Sequence, residues 1–225
     1  MSRKKILLFS DLEGTILNDN GDFSDQDMLN FLSKLANLQS LLKAEVNIHL
    51  LSPIYEKDMK IIIDKIDSVI RQFNRNNKEN RLSSIEGAAA YPEDSYIGET
   101  TLDRIIPLPK PKNARDFDTA SYGKYTYVSD LIEAYNENHT ELPLIIYCGN
   151  GRNDFRAMKY IQDQKNGFIL CPSNSRKDDQ NIATYTSSNS DLQGITDGIQ
   201  YLINEIEKRI KIPVQNKDSH DDFER

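Results

Sequence analysis

The chain has 225 residues and a formal net charge of −7, with two cysteines and no tryptophan. That length allows one full α/β domain and only a small second unit. The acidic balance argues against a dedicated nucleic-acid binder, which carries a basic excess, and two cysteines do not make a disulfide framework.

Arg3-Lys4-Lys5 ahead of an apolar run has the start of a leader sequence. The run stops at Ser10-Asp11, however, and no cleavage-type sequence follows. No stretch approaches the length of a membrane span. Cys148 and Cys171 fall in apolar, strand-like segments and read as small buried side chains in a reducing compartment. A soluble, cytoplasmic protein is expected.

Ile6 to Phe9 reads as a buried strand that Gly14 turns away from. Ser24 and Asp27 form a capping box ahead of a helix whose apolar face runs from Met28 to Leu42. Val46 to Leu51 is a second strand ending at Ser52-Pro53, and Glu56 to Phe73 has helical spacing. Arg75 to Arg81 is a polar loop, and Leu82 to Tyr91 reads as a third strand.

From Pro92 to Gly123 the texture changes, with Pro107, Pro109 and Pro111 among charges and one strand, Leu102 to Leu108. Regularity returns with a helix over Tyr125 to Asn136, a strand over Leu144 to Cys148, and a helix over Asp154 to Gln162. A strand from Gly167 to Cys171 and a helix from Ile195 to Ile210 complete the series. This alternation predicts an α/β, Rossmann-like parallel sheet with helices on both faces. The expected organisation is a core over 1–212, interrupted by a short cap or lid insertion at about 92–123, then a polar, disordered tail over 213–225.

The chemistry gathers at strand ends. Asp11 and Glu13 stand at the carboxyl end of the first strand, where open α/β sheets bind ligands. One carboxylate can attack while the other moves protons, the division of labour that phosphoryl transfer needs. Ser52 ends the second strand, Lys124 opens a helix, and Gly149-Asn150-Gly151-Arg152-Asn153-Asp154 follows the fourth strand. Such groups at successive strand ends can converge on one point. Taken singly each has a plainer reading. Ser52 is a turn residue before Pro53, and Lys124 a surface lysine whose role Lys110 or Lys112 could take. Asn150, Asn153 and Asp154 are a helix start.

Together these segments resemble the haloacid dehalogenase superfamily of phosphatases, and within it are most similar to the Cof-type, sugar-phosphatase branch. Asp11-Leu12-Glu13-Gly14-Thr15 answers to the first motif, Ser52 to the second, Lys124 to the third, and Gly149 to Asp154 to the fourth. Ser84 to Ala89 looks like the strand that precedes the family's cap, and Ala183 to Ile199 like its carboxyl-terminal segment. The resemblance implies a magnesium-dependent phosphomonoester phosphatase acting through a phospho-aspartate. It casts Asp11 as the nucleophile and Glu13 as the acid and base, Ser52, Lys124 and Asn153 as phosphate-binding residues, and Asp11, the main-chain carbonyl of Glu13, Asn150 and Asp154 as the ligands of Mg2+. The implied substrate is a small sugar phosphate or a bulkier phosphoester. A phosphate-binding scaffold with weakened catalysis, and a phosphotransferase or phosphomutase, are the alternatives.

Four departures qualify the resemblance. Glu13 replaces an aspartate, which moves the carboxylate outward by one methylene but leaves the main-chain ligand unchanged. Asn150 replaces an aspartate and removes one negative charge, which predicts a weaker magnesium site. Pro53-Ile54 stands where Cof-type proteins carry Gly-Arg, so an arginine contact to phosphate is missing there. The segment from Pro92 to Gly123 is too short and too proline-rich for the usual α/β cap, which predicts an open site behind a lid loop.

Overall fold

All four residues of Ile6-Leu7-Leu8-Phe9 are apolar, so a strand built from them needs cover on both faces. The computed structural model, which describes residues 4–91, 105–107 and 117–211, supplies that cover. Its elements in chain order begin with β1 (Lys5–Ser10), α1 (Asp25–Leu42), β2 (Glu45–Tyr55), α2 (Glu56–Asn76), β3 (Gly87–Tyr91) and β4 (Ile105–Pro107). They continue with α3 (Phe117–Asn138), β5 (Leu144–Cys148), α4 (Phe155–Gln162), β6 (Gly167–Cys171), α5 (Lys177–Ile182), β7 (Tyr185–Thr186) and α6 (Asp191–Lys211).

The strands form one parallel sheet in the order β4-β3-β2-β1-β5-β6-β7. Ile6 and Leu8 face a core made with α1, α2 and α6. Leu7 and Phe9 face a second core made with α3 and α4. The result is the α/β, Rossmann-like sheet expected from the sequence. Strand order reverses between β1 and β5, and the crevice at such a switch point is where ligands bind in open α/β sheets.

Local chemistry explains the boundaries. The Ser24 hydroxyl accepts from the Asp27 N–H and donates to the Asp27 carboxylate, closing the expected cap on α1. Segment 82–86 was expected to extend β3, and Leu82 and Ile85 are indeed buried. Its main chain is satisfied in another way: Asn74 bonds both the N–H and the carbonyl of Leu82, and Asp67 accepts from the Ile85 N–H. Conversely, β2 runs past Ser52 to Tyr55, with a shift of register against β3 between Leu51 and Tyr55. Pro53 has no N–H to give the ladder, and the shift accommodates it.

The larger difference is α3, which begins at Phe117 rather than Tyr125. The stretch containing Gly123 looked irregular in sequence. Ala120, Ser121, Lys124, Tyr127 and Val128 nevertheless repeat at helical spacing and are all buried. Residues 117–123, assigned to the insertion, are therefore helical. Of the strand expected over Leu102 to Leu108, Ile105–Pro107 is present as β4. The rest of the lid insertion, Lys110 and Lys112 within it, and the tail over 213–225 lie outside the described residues. Among the described residues no helix is long and apolar enough to cross a membrane.

Candidate active site

Asp11 leaves β1 with its N–H bonded to the Cys148 carbonyl at 2.9 Å, so the carboxylate is pinned at the junction of β1 and β5. It is buried, and the Ser10 hydroxyl donates to its carbonyl at 2.8 Å. The chain then turns at Gly14, whose φ of +68° is a conformation side chains disfavour. A Cβ on Gly14 would stand 2.0 Å from Asn150 Nδ2, so glycine also admits the loop that follows β5.

Lys124 is the centre of the site. It lies inside α3 rather than at its start, is 0% exposed, and its Nζ is 2.7 Å from both Asp11 Oδ1 and Asp154 Oδ1. The surface-lysine reading is thereby removed. Burial works against the charge on Lys124, but Asp11 and Asp154 outweigh it and hold the ammonium protonated well above its ordinary range. Two carboxylates share this one cation. Burial and the neighbouring Asp154 charge, opposed by Lys124, push Asp11 well above the usual carboxylate range.

Asp154 stands at the N-terminus of α4 but does not cap it. Its Oδ1 accepts from Lys124 and from the Tyr147 hydroxyl at 2.8 Å, and its Oδ2 from the N–H groups of Gly151 at 3.0 Å and Asn150 at 3.3 Å. The helix-start reading therefore gives way to a carboxylate that knots helix, strand and loop. Burial first, then the charges of Asp154 and Asp11, keep the Tyr147 phenol far above its normal range and hence a neutral donor.

Ser52 and Glu13 form a second pair. Ser52 is fully buried and its hydroxyl donates to the exposed Glu13 carboxylate at 2.6 Å. Asn153 stands apart, its Oδ1 folded to 2.8 Å from where a Cβ of Gly151 would be. No hydrogen bond among the described residues joins it to Asp11, Lys124 or Ser52. Pro53 and Ile54 are half-buried inside β2.

Sequence reasoning missed three participants. Tyr147 reads as one more apolar strand residue until its hydroxyl is located. Asn174 donates to the Gly14 carbonyl and to Asp191 Oδ1, both at 3.0 Å, and so ties the Asp11 turn to α6. Its one signal is its place just after a strand. Asp179, in the first turn of α5, is fully buried, and among the described residues neither of its carboxylate oxygens has a hydrogen-bond partner. Burial, offset in part by Arg176, raises it to about 6. Cys148 and Cys171 are buried free thiols, and burial lifts Cys171 to about 12.

Among the described residues no three His, Cys, Asp or Glu side chains gather as a metal cage. The oxygen donors fit magnesium in a leaner way. The buried triad of Asp11, Asp154 and Lys124 sets two carboxyl groups against one ammonium. Among the described residues no hydrogen bond reaches the Glu13 carbonyl, and the Asn150 side chain lies over the adjoining Gly14 with its Nδ2 nearest. Magnesium takes one or two carboxylates and completes its shell with phosphate and water. Asp154, expected as a ligand, has its acceptor positions filled by four donors, which leaves Asp11, the Glu13 carbonyl and Asn150.

No family model and no curated protein matches the chain. Among solved structures it is similar to a Thermoplasma acidophilum protein at 13% identity and a TM-score of 0.52, over 91% of this chain and 99% of that one. A haloacid dehalogenase-like hydrolase from Bacteroides thetaiotaomicron follows at 12% and 0.49, over 88% and 100% of the two chains. The cobalt-bound deoxy-D-mannose-octulosonate 8-phosphate phosphatase of Haemophilus influenzae stands at 12% and 0.45, over 89% and 90%. The likeness is one of fold, an α/β Rossmann-like parallel sheet shared with structures that include haloacid dehalogenase-like hydrolases.

Proposed function

We propose that the chain is a phosphomonoester phosphatase that works through a phospho-aspartate at Asp11. One observation carries the reading: a fully buried lysine shared at 2.7 Å between Asp11 and Asp154 at the sheet's switch point. A buried charge is costly and is retained where it has a use. Here the ammonium offsets the negative charge that a phosphoryl group brings to a carboxylate nucleophile.

In this reading Asp11 attacks phosphorus and the bond to the ester oxygen breaks, while Glu13 gives that oxygen its proton. Water then attacks the aspartyl phosphate and surrenders a proton to Glu13. Breakage of the Asp11 oxygen–phosphorus bond releases inorganic phosphate and restores both residues. Ser52 turns its hydroxyl from Glu13 to a phosphoryl oxygen, and Lys124 holds another. Mg2+, when bound, would neutralise charge on the phosphoryl oxygens. Asp11, the Glu13 carbonyl and Asn150 are the residues that would hold it. The substrate is a phosphomonoester, a sugar phosphate or a bulkier phosphoester. The buried free thiols support a reducing, cytoplasmic setting.

A scaffold that binds phosphate with weakened catalysis is the second reading, favoured by the amide at Asn150 and by the saturation of Asp154. Both readings meet one experiment: phosphate release from an aryl phosphate and a broad phosphoester panel with magnesium, beside Asp11→Asn. Turnover that disappears in Asp11→Asn supports the enzyme. No Asp11-dependent release from any ester sinks it in favour of the scaffold.

A further inference from the structure

An ionised carboxylate offers about four acceptor positions, and Asp154 has four donors around it. Lys124 and the two loop amides belong to segments already implicated in the site. The fourth donor, Tyr147, does not. It sits on β5 with its side chain on the α3 and α4 face, fully buried among Leu7, Phe9 and Met158. Packing there asks only for an apolar group. A phenol hydroxyl is costly to bury unless it is bonded, and it donates to Asp154 Oδ1 at 2.8 Å.

The geometry points to Tyr147 as a positioning residue for the phosphoryl transfer proposed above, a role that rests on that reading. Its hydroxyl occupies the half of Asp154 Oδ1 that Lys124 leaves open. This fixes the rotation of the carboxylate, with Oδ2 on the Asn150 and Gly151 amides. It also divides Lys124 evenly, 2.7 Å to Asp154 and 2.7 Å to Asp11. Without the hydroxyl, Oδ1 keeps a single donor, and the ammonium is drawn toward Asp154 and away from Asp11. The nucleophile and the Asn150 loop are then both displaced by a fraction of an ångström, on a scale where 1 Å costs about 100-fold in rate. Tyr147 acts on phosphate only through Asp154 and Lys124, so its loss slows the chemical step and leaves binding alone.

Full-length wild type, Tyr147→Phe and Asp11→Asn test this with aryl phosphate kinetics and the amide resonances of Asn150 and Gly151. Tyr147→Phe should lower kcat about 10- to 100-fold with KM changed less than about twofold, and should move both amide resonances. Unmoved amides with kcat within about twofold of wild type overturn the role. Should wild type release no more phosphate than Asp11→Asn, the phosphatase reading fails by itself. The amide shifts then decide whether Tyr147 orders the loop. Should Tyr147→Phe not fold, 3-fluorotyrosine at position 147 replaces it. Its fluorine resonance should move when inorganic phosphate is added, and an indifferent resonance overturns the role.

Discussion

The Ser52 hydroxyl donates to the Glu13 carboxylate at 2.6 Å, so the residue proposed to hold phosphate is already joined to the residue proposed to move protons. An arriving phosphoryl oxygen competes for that hydroxyl and frees Glu13 as it binds. Ser52→Ala is expected to raise KM about 10- to 100-fold, the worth of one hydrogen bond to a charged group. Glu13→Gln should instead lower kcat by about 100- to 10,000-fold. Initial rates across a range of aryl phosphate concentrations separate the two, and an unchanged kcat in Glu13→Gln contradicts its role.

Asn150→Asp returns a negative charge beside Gly14 and the Asp11 turn. A unit charge at contact distance in a partly screened site is worth at most ~4 kcal/mol. The magnesium concentration for half-maximal activity should fall about tenfold or more, each tenfold being about 1.4 kcal/mol. With a chelator the same variant should melt at lower temperature than wild type, because the triad already sets two carboxyl groups against one ammonium. Equal half-saturation in the two proteins would count against Asn150 as a ligand.

How much of this was legible from the chain can be read residue by residue. The pairing of Asp11 with the loop after β5 followed from polar groups set at successive strand ends. Periodicity alone placed the cores of α1, α2 and α6. The start of α3 was hidden because Gly123 and the preceding prolines mask a helical repeat carried by Ala120, Ser121, Lys124 and Tyr127. The start of β3 was misread because burial of Leu82 and Ile85 imitates a strand, while Asn74 and Asp67 take their main-chain groups. Tyr147 and Asp179 were invisible for a common reason. Whether a hydroxyl or carboxylate finds a partner is a fact of three dimensions.

Asp179 should make the protein less stable as pH rises. Its folded pKa of about 6 lies above its ordinary 3.8, so the folded state binds the proton more tightly. Its contribution is complete below the unfolded value and lost as pH rises through about 6. Asp179→Asn should therefore raise Tm by about 2–6 °C at pH 8 and by less at pH 5. Thermal melts at the two pH values check this, and a larger gain at pH 5 refutes it.

His49 works in the opposite sense. It is stacked on Phe9 and paired with the Tyr127 hydroxyl at 3.0 Å, and burial lowers it from 6.5 to about 4. The unfolded chain takes the proton first, so the stability it supports is full above 6.5 and is lost as pH falls toward about 4. At most about 3 kcal/mol is at stake. His49→Phe should flatten the dependence of unfolding free energy on pH across that window, measured by denaturant titration. A slope equal to wild type would show that His49 is not the group titrating.

Gly14→Ala combines a disfavoured φ with a Cβ placed against the Asn150 amide. The strain alone costs about 1 kcal/mol, and the amide has to move as well. Activity should fall further than stability, since the Asn150 loop borders Asp11. A variant with full turnover and a lowered Tm would show that the loop tolerates the shift.

Lys124 is 113 residues from Asp11 in the chain. During synthesis at about 5–20 residues per second, the acid precedes its cation by about 6 to 23 s. In that interval β1 can pair with β2, but its other edge is bare until β5 arrives. Asp11 therefore waits in water as an ordinary carboxylate on a half-built sheet. No fragment that ends before Asp154 can close the triad. The site appears at once, late, when the second half of the sheet docks.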